Sequence, residues 1–143
     1  KPIIASHSNA RSIVDIPRNI SDEQIKAIAN TGGLICINGA SFVVAETFKD
    51  ATVKTYVDHI EYIGKLVGYQ HVGIGLDMCD NLFKLSNISQ GSGLKEVGDT
   101  IKGYYVMEEI VEEMLSRGID EDSVKKVIGI NVFELFNSQL QKF

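Results

Sequence analysis

The sequence predicts an α/β fold in which short parallel strands are covered by helices. Three short apolar runs each end in a polar side chain, and segments with helical periodicity separate them. Continuous apolar strands of this kind are typical of parallel sheets. The polar ends are His7, Asn38 and Asp77. Because parallel strands end at a common edge, where α/β enzymes build their sites, these three residues mark a candidate site.

Composition indicates one globular domain over residues 1–143. The chain is 44% hydrophobic and 23% charged, which is ordinary for a folded protein. A net charge of −5 argues against nucleic acid and anionic membranes as partners. No apolar stretch reaches the roughly 18 residues of a membrane-spanning helix. Cys36 and Cys79 lack CxxC spacing, so we expect reduced thiols, as in a cytoplasmic protein.

Local signals bound the first strand and helix. Residues 3–6 form the first predicted strand. Ser21 and Gln24 have the spacing of a capping box, in which two side chains satisfy main-chain groups at a helix start. The helix that begins there is expected to end at Gly32 and Gly33, since glycine commonly terminates helices.

The middle of the chain repeats this pattern. Residues 34–39 form the second predicted strand. Thr52 is placed to cap a second helix, whose apolar residues recur at helical spacing until Gly68. His59 lies within this helix between apolar neighbours, and we expect it to pack in the core. Residues 71–77 form the third predicted strand.

The last third of the chain predicts a long loop and more helix. Glycines, serines and asparagines dominate residues 81–103, which favours a loop. A helix is expected over residues 104–117, and Asp120 is placed to cap a final helical region. Gly129 and Asn131 are expected to interrupt that region before a terminal apolar face. The predicted solvated face of the helix over 104–117 carries Glu108, Glu109, Glu112 and Glu113.

Three side chains could carry chemistry. His7 at a strand end suits a zinc ligand or a general base, or simply makes local hydrogen bonds. Arg18 could hold a substrate carboxylate through two parallel hydrogen bonds, or lie free on the surface. Asp77 could ligate a metal, orient water or transfer a proton, and Asn38 could line the same site. One histidine and one aspartate do not complete a catalytic zinc site, which needs three protein ligands.

The sequence resembles the membrane (renal) dipeptidase family of zinc metallopeptidases along essentially its whole length. Its most specific part is Ser6-His7-Ser8 followed, eleven residues after the histidine, by Arg18. The similar segments are residues 3–10, 17–25, 32–38, 58–63, 71–75 and 129–133. One departure follows Asp77: the family often has Asp-Phe-Asp-Gly there, and this chain has lost the glycine.

The resemblance implies a C-terminal portion of a (β/α)8 TIM-type barrel, comprising strands six to eight with their helices. It implies that His7 ligates one of two zinc ions and that Arg18 binds the C-terminal carboxylate of a dipeptide. Asp77 would then be the catalytic acid/base and contact the substrate. The family's other zinc ligands would precede Lys1.

The resemblance therefore implies zinc-dependent hydrolysis of dipeptides by the intact protein, with this piece inactive alone. The inner face of the sheet would be covered by the missing N-terminal part of the same barrel, by a second copy, or through a rearrangement of this chain. Two alternatives remain open. The chain could be a non-catalytic α/β interaction module, or part of another metal-dependent amide hydrolase.

Overall fold

A computed structural model describes residues 1–78 and 106–141. The predicted loop over 81–103 and Cys79 lie outside the described residues. No helix in these described ranges is long and apolar enough to cross a bilayer. In chain order, the elements are β1 (Ile4–Ala5), α1 (Asp22–Asn30), β2 (Leu34–Ile37), α2 (Ser41–Val44), α3 (Val53–Val67), β3 (Val72–Ile74), α4 (Val106–Ser116), α5 (Glu121–Lys125) and α6 (Asn131–Leu140).

The three strands form a parallel sheet in the order β1-β2-β3, which confirms the predicted α/β arrangement. Ile4 lies opposite Leu34, and Ile35 lies opposite Val72. All four residues of β2 are buried. The core packs side chains of the sheet against α1, α3 and α4. Its largest fully buried members are Tyr56, Ile25, Ile35, Ile37, Ile60, Ile63, Ile110 and Met114.

The predicted helix ends are confirmed. Ser21 and Gln24 form both bonds of a capping box at the start of α1. Thr52 caps α3, and Asp120 caps α5 through the main-chain N–H of Ser123. Gly68 ends α3 with φ at 95°, a left-handed conformation that glycine adopts without strain. These ends were predictable because capping depends on residues only three positions apart.

The strands are shorter than the sequence predicts. β1 is limited to Ile4–Ala5, and a 3₁₀ turn over Tyr69–His71 takes the place of the start of the third predicted strand. Beyond β3 the chain still pairs with β2, since the N–H of Gly75 donates to the Ile37 carbonyl at 3.0 Å. The short helix α2 was not predicted, because no side chain caps it.

The C-terminal helices differ in part from the prediction. Gly129 does interrupt the helical conformation, within a π-helical turn over Lys126–Ile130. Asn131 was expected to break the helix and instead begins α6. Its side-chain amide donates to the carbonyls of Tyr69 at 2.7 Å and Val72 at 2.8 Å, which ties α6 to the start of β3.

The sheet curves strongly at the ends of its strands. A methyl group on Gly75 would lie 2.1 Å from the Ser6 carbonyl oxygen and 2.8 Å from Cβ of Cys36. In a flat sheet, strands two places apart are separated by about 9.5 Å. The chain after β1 and the chain after β3 therefore converge over Cys36. Cys36 is a free, buried thiol, and its burial raises the pKa to about 11.

His59 joins three parts of the fold, in agreement with its predicted core position. The imidazole is fully buried. Its Nδ1 accepts from the N–H of Ala10 at 3.2 Å, so Nε2 carries the proton and donates to the Val44 carbonyl at 3.0 Å. Burial lowers the pKa of His59 to about 4. The ring is therefore a neutral link between α3, α2 and the segment after β1.

Arg117 fastens the end of α4 to α3. Its guanidinium donates to Asp58 at 2.6 Å, Glu61 at 3.1 Å, Glu113 at 2.8 Å and the Lys54 carbonyl at 2.8 Å. Burial opposes its charge, but the hydrogen bonds to three carboxylates outweigh that effect and raise the pKa of Arg117. Glu113 thus belongs to an ion-pair network, which corrects the expectation of a fully solvated acidic face.

We expect His59 to make the free energy of unfolding fall as the pH is lowered. An unfolded histidine takes up a proton near pH 6.5, whereas folded His59 does so only near pH 4. Between these values the unfolded state binds more protons, so acidification favours it. The loss should approach about 3 kcal/mol at pH 4. Urea unfolding from pH 7.5 to 4 in the natural chain and in His59→Gln measures this. Equal pH slopes in the two proteins would contradict the assignment.

We expect Arg117→Ala to lower the free energy of unfolding by about 1–2 kcal/mol, because three carboxylates lose a shared donor. Arg117→Lys should recover only part of this, since an ammonium group cannot reproduce the guanidinium fork. Lys125→Ala is the matched control: it removes an exposed pair with Glu121 at 3.4 Å and should cost less than about 0.5 kcal/mol. Equal losses for Arg117→Ala and Lys125→Ala would contradict the role of the network.

Candidate active-site edge

Main-chain pairing continues past the strands and brings their polar ends together. The N–H of Ser8 donates to the Cys36 carbonyl at 2.8 Å. On the other side of β2, the N–H of Gly39 donates to the Leu76 carbonyl at 3.0 Å. The residues that follow the three strands therefore lie at one edge of the sheet, as predicted. We call this edge, with His7, Arg18, Asn38 and Asp77, the strand-end site.

His7 lies exposed at this edge, at the end of β1. Its Nδ1 is hydrogen-bonded to Oγ of Ser6 at 2.7 Å. Among the described residues, no group bonds to its Nε2. A histidine fixed through one ring nitrogen can offer the other to a metal or a proton.

Arg18 reaches the same edge from the loop after β1. Its Nη2 donates to the main-chain carbonyl of His7 at 2.8 Å, and the side chain is otherwise exposed. The sequence places both residues near a site but does not predict this direct contact. The bond uses one of five guanidinium N–H groups, which leaves the others for a ligand.

Two residues that sequence reasoning missed hold the loop carrying Arg18. Arg11 donates to the carbonyls of Asn19 at 2.9 Å and Pro17 at 3.2 Å. Asn19 is buried, and its amide donates to the carbonyls of Val14 and Val43. Arg18 is thus flanked by two anchored neighbours. An asparagine in an arginine-bearing loop was the available signal, but its burial depends on distant contacts.

Asn38 and Asp77 are in direct contact across the strand ends. Nδ2 of Asn38 donates to Oδ2 of Asp77 at 3.1 Å. Asp77 is exposed and has a φ of 54°, a left-handed conformation that is uncommon for a residue with a side chain. Such conformations cluster at functional sites. Asn38 is buried, and its Oδ1 accepts from the N–H of Ala40 at 2.6 Å.

Asn9 completes the arrangement and was also missed as a site residue. It is fully buried. Its Oδ1 accepts from the N–H of Asn38 at 2.9 Å, and its Nδ2 donates to the Asn38 carbonyl at 3.2 Å. The signal in the sequence was a polar side chain four residues after the end of β1, but its partner depends on the strand register.

The described part of the chain offers one metal-binding imidazole rather than a complete metal centre. It contains no group of three or more His, Cys, Asp or Glu side chains that could hold an ion. His59 is used in the core, and His71 lies at the opposite end of β3, bonded to the Gly33 carbonyl at 2.9 Å.

The chain matches the family model for membrane dipeptidase, peptidase family M19, over residues 1–142. It is 31% identical over 138 residues to dipeptidase verJ of Clonostachys rogersoniana, and the match covers 96% of this chain. It is 30% identical over 138 residues to dipeptidase ataJ of Aspergillus terreus, with 94% of this chain covered.

Solved structures share the fold of this chain. An amidohydrolase from Pseudomonas aeruginosa superposes with a TM-score of 0.75 at 27% identity, covering 92% of this chain and 43% of that one. A metallopeptidase from Rhodobacter sphaeroides, bound to a phosphinate mimic of L-Ala-D-Ala, has a TM-score of 0.73 at 22% identity. That match covers 95% of this chain and 36% of the metallopeptidase.

The chain spans 31% of the length of verJ and 30% of that of ataJ. The family model matches every residue of this chain except the last. The chain therefore belongs to the membrane dipeptidase family, peptidase family M19.

Proposed function

We propose that this chain supplies the strand-end site of a zinc-dependent enzyme that hydrolyses dipeptides. Membership of the dipeptidase family supports hydrolysis of this class of substrate. The observation that carries the proposal is the meeting, at one sheet edge, of His7 and Arg18 with Asn38 and Asp77. A ligating group, a carboxylate anchor and a proton carrier would then lie along one edge of the sheet.

We further propose that β1, β2 and β3 are strands six to eight of a TIM-type barrel. The parallel order of the strands and the convergence of their ends at Gly75 support this, because a barrel requires a strongly curved parallel sheet. A complete barrel of this type takes about 250 residues. The other strands and the remaining metal ligands would come from the rest of the protein.

His7 fits one position of the proposed zinc centre. Its Nδ1 is fixed by Ser6, and its Nε2 has no partner among the described residues. The chemistry that zinc supplies in such a site is polarisation of the peptide carbonyl and activation of water. The part of this chain that the structure describes does not hold three ligands, so the fit concerns His7 alone.

Arg18 is the proposed anchor of the dipeptide's C-terminal carboxylate. The bond to the His7 carbonyl fixes the guanidinium beside the proposed zinc ligand. Its remaining N–H groups can bind a carboxylate with two parallel hydrogen bonds. Because His7 and Arg18 are linked, the carboxylate would be held at a set distance from the reacting carbonyl.

Asp77 is the proposed acid and base. Its Oδ2 accepts from Asn38, while Oδ1 has no partner among the described residues. Oδ1 can take a proton from the attacking water and pass it to the departing amine nitrogen. The carboxylate is exposed, so substrate can reach it.

A second candidate is an amide hydrolase that acts on substrates other than dipeptides. The similarity to a structure described as an amidohydrolase favours it. The two functions differ in whether the substrate must carry a free C-terminal carboxylate. Arg18 would bind such a carboxylate only in a dipeptidase.

We expect Arg18→Ala in the complete protein to lower kcat/KM for dipeptides by about 100-fold, because a charge-assisted pair is lost. With the corresponding dipeptide amides, which have no carboxylate, the natural protein and the variant should differ by less than about threefold. Steady-state kinetics on both substrates measures this. Arg18→Lys is the matched control and should restore only part of the loss. Equal losses on both substrates would contradict the carboxylate anchor.

We expect the 143-residue chain alone to hydrolyse no dipeptide and to bind less than two equivalents of zinc, because its described residues offer one zinc ligand. The complete protein should hydrolyse dipeptides, lose activity to a chelator and regain it with zinc. Dialysis with metal analysis and a ninhydrin assay measure both. Turnover by the isolated chain would contradict the proposed division of the site.

A further inference from the structure

We propose that Asn38 is a positioning residue that fixes the carboxylate of Asp77, and that Asn9 in turn fixes Asn38. The catalytic consequence of this arrangement rests on the proposed function, in which Asp77 transfers a proton. The geometric claim stands on contacts within the chain. Three side chains on three successive strand ends then act as one hydrogen-bonded series.

The orientation of the Asn38 amide is determined by its surroundings. Its Oδ1 accepts from the N–H of Ala40 at 2.6 Å, and an N–H can only donate. The other side of the amide must therefore be Nδ2, which faces Oδ2 of Asp77 at 3.1 Å. Asn38 can only donate to Asp77, and it does so from a buried position.

Asn9 prevents the main chain of Asn38 from moving. It binds both the N–H and the carbonyl of Asn38, as a neighbouring strand would. The pair replaces regular pairing at the point where β1 has already ended. Because Asn9 is fully buried, breaking either bond would leave a buried polar atom without a partner, which is costly.

Asp77 needs this support because the described residues give it little other contact. It is exposed, it follows the end of β3, and its φ is 54°. Asn38 is its one hydrogen-bond partner among the described residues. With Oδ2 held by the amide, Oδ1 is the oxygen that remains for a proton. Asn38 thus selects which oxygen of Asp77 meets the substrate.

The first test follows the Asn38 side-chain amide by NMR in the isotope-labelled 143-residue chain. Its NH₂ resonances should shift at neutral pH in Asp77→Asn, because a neutral acceptor then replaces the carboxylate that Nδ2 faces. Because Asp77 is exposed, the variant should remain folded. The side-chain amide of Asn131, at the other end of β3, is the internal control and should not respond to the substitution. An Asn38 amide with the same resonances in both proteins would overturn the proposal.

The second test uses Asn38→Ser in the complete protein. Serine can still accept from the N–H of Ala40 in a turn of the same kind but is too short to reach Asp77. We expect kcat to fall about tenfold and KM to change less than twofold, because alignment and not binding is lost. Asn131→Ser removes a buried asparagine far from the site and should leave both constants unchanged. Equal effects of the two variants would overturn the positioning role.

The two tests separate this inference from the proposed function. If the complete protein hydrolyses no dipeptide, the proposed function fails, and the NMR measurement still decides whether Asn38 holds Asp77. If the protein is active and the Asn38 amide ignores Asp77, the positioning claim fails alone. If Asn38→Ser does not fold, the comparison of the natural chain with Asp77→Asn gives the answer.

Discussion

The central strand β2 has buried side chains along its whole length, so each of its main-chain groups needs a partner within the protein. β1 and β3 supply most of these partners in parallel register. Where the strands end, single residues take over: Ser8 bonds to the Cys36 carbonyl, and the hydroxyl of Tyr56 donates to that of Ile37 at 2.8 Å. At the strand-end site, loop residues rather than strand residues provide these hydrogen-bond partners.

Asn9 shows how this requirement produces a site. It binds the main chain of Asn38 because no strand residue is left to do so. That contact fixes the main chain of Asn38, and the Asn38 side chain then bonds to Asp77. The same hydrogen bonds thus satisfy buried polar groups and hold the carboxylate of Asp77. On the other side of β2, Arg18 is joined to His7 through a main-chain carbonyl in a similar way.

Features of the structure that depend on residues close together in the chain could be predicted from the sequence. The capping pair Ser21 and Gln24 and the core position of His59 follow from spacing of three or four residues. The parallel sheet followed from its apolar runs. The contact of Asn38 with Asp77 could not be predicted, since it joins residues 39 positions apart and depends on register and on a left-handed backbone. His7 and Asp77 were candidates because of their position at strand ends, and Arg18 because of its residue type and its place in the loop after the first strand. Their roles stay predictions.

The Arg117 network has a consequence for how α4 is held in this chain. α4 is held to α3 by ionic and hydrogen bonds to Asp58, Glu61 and the Lys54 carbonyl, and not only by the chain that leads into it. The position of α4 against α3 is therefore carried by side chains of the two helices themselves. A substitution at Arg117 would loosen α4 without changing any contact of the strand-end site.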